Sequence, residues 1–136
     1  VSRSQYDEDC QDWDLIQWRS EVRSAIRGRR GQALLRDMLA ALDALPAPRL
    51  IYGYLYRDGP EGGVCALGAV GRARGVDMTN LDADDREQVA EAFGIAAALA
   101  AEIAYINDEQ VIQPETPEER WVRVRAWVAT KIKENP

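Results

Sequence analysis

Histidine is absent from this chain, and phenylalanine (one), methionine (two) and cysteine (two) are nearly so. Without an imidazole the commonest general base and the commonest metal ligand are missing, along with the one side chain that titrates unperturbed near neutrality. The chain is therefore expected not to be an enzyme, with no catalytic residue, no cofactor and no metal set. Two thiols, Cys10 and Cys65, cannot make a disulfide framework. No apolar run reaches membrane-spanning length, and the opening "VSRSQYDEDC" is acidic and polar, the opposite of a secretory signal. A reduced cytoplasmic setting away from membranes is the expectation. Lysine is scarce too: fifteen arginines stand against two lysines, a bias that fits a high-GC bacterial host or its phage.

What remains is an ordinary globular composition, 46% hydrophobic and 29% charged, in 136 residues, enough for one core. The net charge of −6 is unevenly placed. Between Arg19 and Arg36 six arginines face a single acid, Glu21. From Asp77 to Glu119 Arg86 is the one base, and the chain turns basic again from Arg120 to Lys133. Such polarity suits docking to a charged partner or the packing of a basic segment beside an acidic one.

The periodicity predicts a mainly α (α+β) fold, with about six helices around one core and a short β-hairpin near residues 50–66. Residues 1–11 read as an acidic, flexible or loosely docked tail, and 12–136 as a single helical domain. Helix one is expected from Asp12, capped by its carboxylate, with Leu15, Trp18, Val22 and Ile26 on one stripe. Gly28 and Gly31 bracket a break before a helix over Gln32–Leu45, which Pro46 and Pro48 end. Tyr52, Tyr54 and Tyr56 alternate with Ile51 and Leu55 at the period of a strand, and "RDGPEGG" is turn chemistry. Ala66–Arg74 reads as a small-residue helix whose Gly68 and Gly71 mark a close-approach surface. Asp82 or Asp84 is the expected next cap, with Glu87 completing a capping box on Asp84. A helix over Ala96–Ile106 follows a turn at Gly94. "TPEERW" then starts the last helix, with Thr116 as cap, Pro117 first and Glu119 reciprocal. Trp121, Val124, Val128 and Ile132 form its stripe.

Candidate sites follow from charge and spacing. "REQVAEAFGIAAALAAEI" has the spacing of a helix-turn-helix through Ala90, Gly94 and Ile95, but its second helix carries no base-reading side chain and its flanks are acidic. Packing is the reading it supports. Arg23, Arg27, Arg29 and Arg30 form a possible nucleic-acid contact, with tyrosines 52, 54 and 56 as stacking faces if they lie nearby. Asp82, Asp84, Asp85 and Glu87 are the expected acidic face for a protein partner. They lack the Asp-x-Asp-x-Asp-Gly order of a calcium loop. Cys65 has the position of a nucleophile at a helix start but no histidine to serve it, so it reads as structural beside Gly68. Asn107 and Asp108 are expected to hold the Cys65 segment in place.

The order "VCALGAVGRARG", "FGI", "INDE" and "TPEERW", with "SAIRGRRGQALL" before it, resembles a family of small uncharacterised proteins encoded by tailed phages, prophages and bacteria. In that family a "CALGA" stretch after a Gly-rich turn is paired with a later "ND". The resemblance spans about Trp18 to Trp127. It implies a shared fold, with Val64 to Gly71 and Asn107 to Asp108 as its markers, and it implies no particular activity. The combined expectation is a phage or prophage accessory protein in a bacterial host. It is expected to bind and modulate a protein partner, with nucleic acid as the alternative.

Overall fold

The computed structural model describes residues 3–4, 12–110 and 113–133. Among them are six helices and one two-stranded antiparallel hairpin: α1 (Asp12–Arg27), α2 (Arg29–Asp43), β1 (Tyr56–Arg57), β2 (Gly63–Val64), α3 (Ala66–Arg74), α4 (Arg86–Phe93), α5 (Ala97–Asp108) and α6 (Pro117–Lys131). The mainly helical class with a short hairpin is the one that the periodicity predicts.

Helix α5 is the centre of the molecule. It is apolar on nearly every side, as suits a helix enclosed all round, and nine of its twelve residues are buried. α1 and α4 pack on it, α4 joining it through a bend of 105° at Gly94. α2 lays the buried stripe Leu34, Leu35, Met38 and Leu42 against α3 and α6. One apolar core draws on all six helices, through Val22, Leu34, Val70, Val89, Leu99 and Val124 among others.

The α1–α2 break is shorter than expected. Gly28 alone makes the turn, and α2 begins at Arg29 rather than Gln32. Gly31 lies inside α2 because a Cβ there would stand 1.9 Å from the Ala25 carbonyl oxygen, so its hydrogen is what lets α2 leave α1 so closely. Leu15, expected on the α1 stripe, is 41% exposed in a shallow groove beside Arg19 and Trp127. The side chain of Asp12, on which the expected cap rests, lies outside what the structure describes.

The tyrosine strand is also shorter than expected. Ile51 and Leu55 are buried while Tyr52 and Tyr54 point out, so the alternation holds. Gly53, however, sits at φ 82°, outside extended backbone, and confines strand pairing to Tyr56↔Val64 and Arg57↔Gly63. The start of α4 is corrected as well. Its cap is Asp85, which accepts the Glu87 and Gln88 amides at 3.1 Å each; neither Asp82 nor Asp84 does this. The capping box at Thr116 and Glu119 forms as expected, with both hydrogen bonds at 3.0 Å and Pro117 first in α6.

Arg3 and Ser4, within the segment expected to be a loose tail, are instead buried. Their partners explain it: Arg3 clasps Asp108, and the Ser4 hydroxyl donates to Glu109. The rest of residues 1–11, Cys10 included, lies outside the described residues. No single helix among the described residues is long and apolar enough to cross a membrane.

Candidate functional site

A polar clasp is built where "CALGA" meets "IND". Cys65 caps α3, its sulfur accepting the Gly68 amide at 3.4 Å. Asn107, 1% exposed at the end of α5, accepts the Ala66 amide on Oδ1 at 3.1 Å. Its Nδ2 donates to the Ile51 carbonyl and to Asp108 Oδ1, both at 2.9 Å. Asp108 also takes the Gly53 amide at 3.2 Å and two bonds from Arg3, at 2.6 and 2.7 Å. Arg3 closes the ring with a 3.7 Å contact to the Cys65 sulfur. Burial alone pulls the Arg3 guanidinium down. The interactions with Cys65 and with the Asp108 carboxylate outweigh that and hold it above its ordinary value.

Gly68 is part of the same construction. A Cβ there would stand 1.8 Å from the Leu55 carbonyl oxygen, so α3 can approach the tyrosine segment only at a glycine. Gly71 likewise faces Met78 and Phe93. Cys65 itself is 1% exposed. Cys65, Gly68, Asn107 and Asp108 are thus one bonded unit, joining α3, the end of α5 and the turn before β1.

The second assembly is at the α1–α2 junction. Arg23, Arg27, Arg29 and Arg30 are all exposed, and none forms an ion pair among the described residues. Elsewhere the arginines are engaged: Arg19 on Glu102, Arg74 on Asp37, Arg123 on Glu115, Arg125 on Asp43. Arg29, Arg30 and Arg86 line a groove of about 740 Å³ that also takes in Glu21 and Glu87. Both α2 and α5 start at this groove with no side-chain cap and no acid in the first turn. Their free amides add positive potential there.

Tertiary packing enlarges this basic end. Gln32, buried at the start of α2, donates to the Ile26 carbonyl at 2.7 Å and to the Lys131 carbonyl at 3.0 Å, and accepts the Lys133 amide at 2.8 Å. Lys133 Nζ in turn reaches the Arg27 carbonyl at 2.8 Å, and Arg36 donates to the Lys133 carbonyl at 2.6 Å. The last basic segment of the chain therefore joins the first. Nothing in the sequence marks Gln32 for this role, and the polar setting of Arg3 conceals its own.

Other expected groupings are taken apart. The tyrosines are not beside the junction arginines: Tyr52 and Tyr54 line a separate cavity with Arg49, Arg57 and Arg120. The four acids do not form one face. Glu87 lines the arginine groove and Asp84 the tyrosine cavity, while the Asp85 carboxylate is spent on α4 and Asp82 Oδ1 accepts the Asp84 amide at 2.9 Å. The second helix of the helix-turn-helix spacing is α5, whose burial leaves no face to enter a groove of DNA.

Fold and sites together define a mainly helical protein with a buried polar clasp and two charged cavities. No protein-family model, curated protein or solved structure matches the chain.

Proposed function

We propose that this chain is a small accessory protein of a phage or prophage, working in the bacterial cytoplasm by binding and not by catalysis. Its binding surface is the arginine end, and the occupant is the backbone of a nucleic acid. One observation carries this reading: Arg23, Arg27, Arg29 and Arg30 are exposed and without ion-pair partners among the described residues, in a protein that pairs many of its other arginines. Unpaired guanidinium groups release counterions when they meet phosphates, and they match phosphate oxygens in a planar fork. Lys133 and Arg36 widen the same end. Support for a non-catalytic role comes from the lack of histidine and from the enclosure of Cys65 by Arg3 and Gly68.

The test is an electrophoretic shift with random DNA and RNA, for the wild type and for Arg27→Glu/Arg30→Glu. Four phosphate contacts on duplex DNA lose roughly a hundredfold in affinity between 50 and 200 mM salt. The variant is expected to bind nothing at either salt. Absence of a shift at low salt, or a variant that binds like the wild type, overturns the reading. A protein partner is the second reading, favoured by the exposure of Asp82, Asp84 and Glu87. It predicts that lysine at those positions abolishes capture of a host or phage protein.

A further inference from the structure

The tyrosine cavity encloses about 780 Å³, within the roughly 300–1,000 Å³ usual for small-ligand sites. Its floor is the Arg3–Asp108 clasp, and Tyr52 and Tyr54 rise from the turn that the clasp holds. These rings are 64% and 51% exposed although both neighbours, Ile51 and Leu55, are buried. Each has a guanidinium on one face, Arg120 at 5.0 Å from the Tyr52 centroid and Arg57 at 5.0 Å from that of Tyr54. That exposure leaves ring surface open to a planar group.

The polar groups of the wall are unequally satisfied. Asp108 is held by Arg3, Glu115 by Arg123, and Glu109 receives the Ser4 hydroxyl. Arg57 has no carboxylate partner among the described residues. Arg120 is 7% exposed and gives one bond, from Nη1 to the Leu50 carbonyl at 2.9 Å. Its buried Nε has Glu115 Oε1 at 3.4 Å as its ion-pair partner.

We propose that this cavity binds a mononucleotide. The base stacks on Tyr54 and the phosphate lies on the Arg57 fork. Stacking on an aromatic ring accepts any base, and a guanidinium without a carboxylate partner suits a phosphate. A single phosphate is favoured over three, because Glu61 and Asp84 at the same wall repel further negative charge. This site shares no lining residue with the arginine groove and does not depend on it.

The experiment is calorimetric titration of the full chain with the four ribonucleoside monophosphates. Adenosine, ATP and inorganic phosphate are titrated in parallel. At least one monophosphate is expected to bind with a Kd below about 1 mM, more tightly than ATP, and phosphate alone is expected not to bind. Tyr54→Ala and Arg57→Ala are each expected to weaken binding about tenfold. Both residues are exposed, so their thermal midpoints serve as the folding control. Arg27→Glu/Arg30→Glu is expected to bind the monophosphate unchanged while losing the nucleic-acid shift. Lack of binding by all four monophosphates overturns the proposal, as does phosphate binding equally well, or Tyr54→Ala and Arg57→Ala binding like the wild type. A monophosphate lost in Arg27→Glu/Arg30→Glu instead would place it in the arginine groove and overturn it too.

Discussion

Replacing Asn107 by alanine tests the clasp at the side chain that bonds both α3 and the segment before β1. The side chain is 1% exposed and makes three hydrogen bonds, to the Ala66 amide, the Ile51 carbonyl and Asp108. Ala66 is the first residue of α3, so its amide has no partner within the helix. Truncation therefore leaves a buried donor and a buried acceptor unsatisfied. At about 1–3 kcal/mol each, the loss is about 2–6 kcal/mol, a large share of the ~5–15 kcal/mol that holds a domain folded. The corresponding fall in thermal midpoint is about 10–20 °C. Urea unfolding followed by tryptophan fluorescence, with circular dichroism as a second probe, measures it. Asn107→Asp keeps the acceptor for Ala66 but offers no N–H to Ile51 and sets a second carboxylate against Asp108. It is expected to be at least as damaging at pH 7. Asn80→Ala, at an exposed turn, serves as control and is expected to change stability by less than about 0.5 kcal/mol. An Asn107→Ala variant within about 1 kcal/mol of the wild type would refute the claim that these bonds join α3 to α5.

Gly68→Ala drives a methyl against the Leu55 carbonyl oxygen and is expected to destabilise by about 3 kcal/mol or more, read from the same urea curves. Arg3→Ala leaves the Asp108 carboxylate without its cation at a side-chain exposure of 10%, so a loss of about 3–5 kcal/mol is expected in a thermal melt. The Cys65 thiol should react slowly with a disulfide reagent in the native wild type and faster in Arg3→Ala, since Arg3 covers its sulfur. Glu119 is held below the usual carboxylate range, first by the Thr116 backbone amide and then by the Thr116 side chain. Its contribution is thus present above the unfolded carboxylate value and disappears as pH falls through the folded one. The Thr116 amide resonance should shift between pH 6 and 3 in the wild type, and Glu119→Gln should flatten that response.

The sequence by itself determined the elements whose causes are local. The Thr116–Pro117–Glu119 start of α6, the stripe of α2 and the turn at Gly94 each depend on residues within one or two turns of one another, and such signals survive in a linear string. The pairing of the Cys65 segment with Asn107 and Asp108 was legible for a different reason: polar residues directly after an apolar helix need partners wherever they are buried. The start of α4 was misplaced because four acids crowd that turn and only backbone geometry selects Asp85.

Tertiary structure alone decided the rest, since those features join residues far apart in the chain. Arg3 looks like part of a solvated tail until Asp108, 105 residues away, is placed beside it. Gln32 looks like an ordinary helix residue until it gathers the chain end onto the α1–α2 junction. The acidic run reads as one face, yet the bends between 77 and 87 divide it between two cavities. Charge along a sequence gives sign and amount. Which charges are neutralised is set by distance in space, and that is why the four arginines without ion-pair partners among the described residues, and the tyrosines set apart from them, emerge only from the fold.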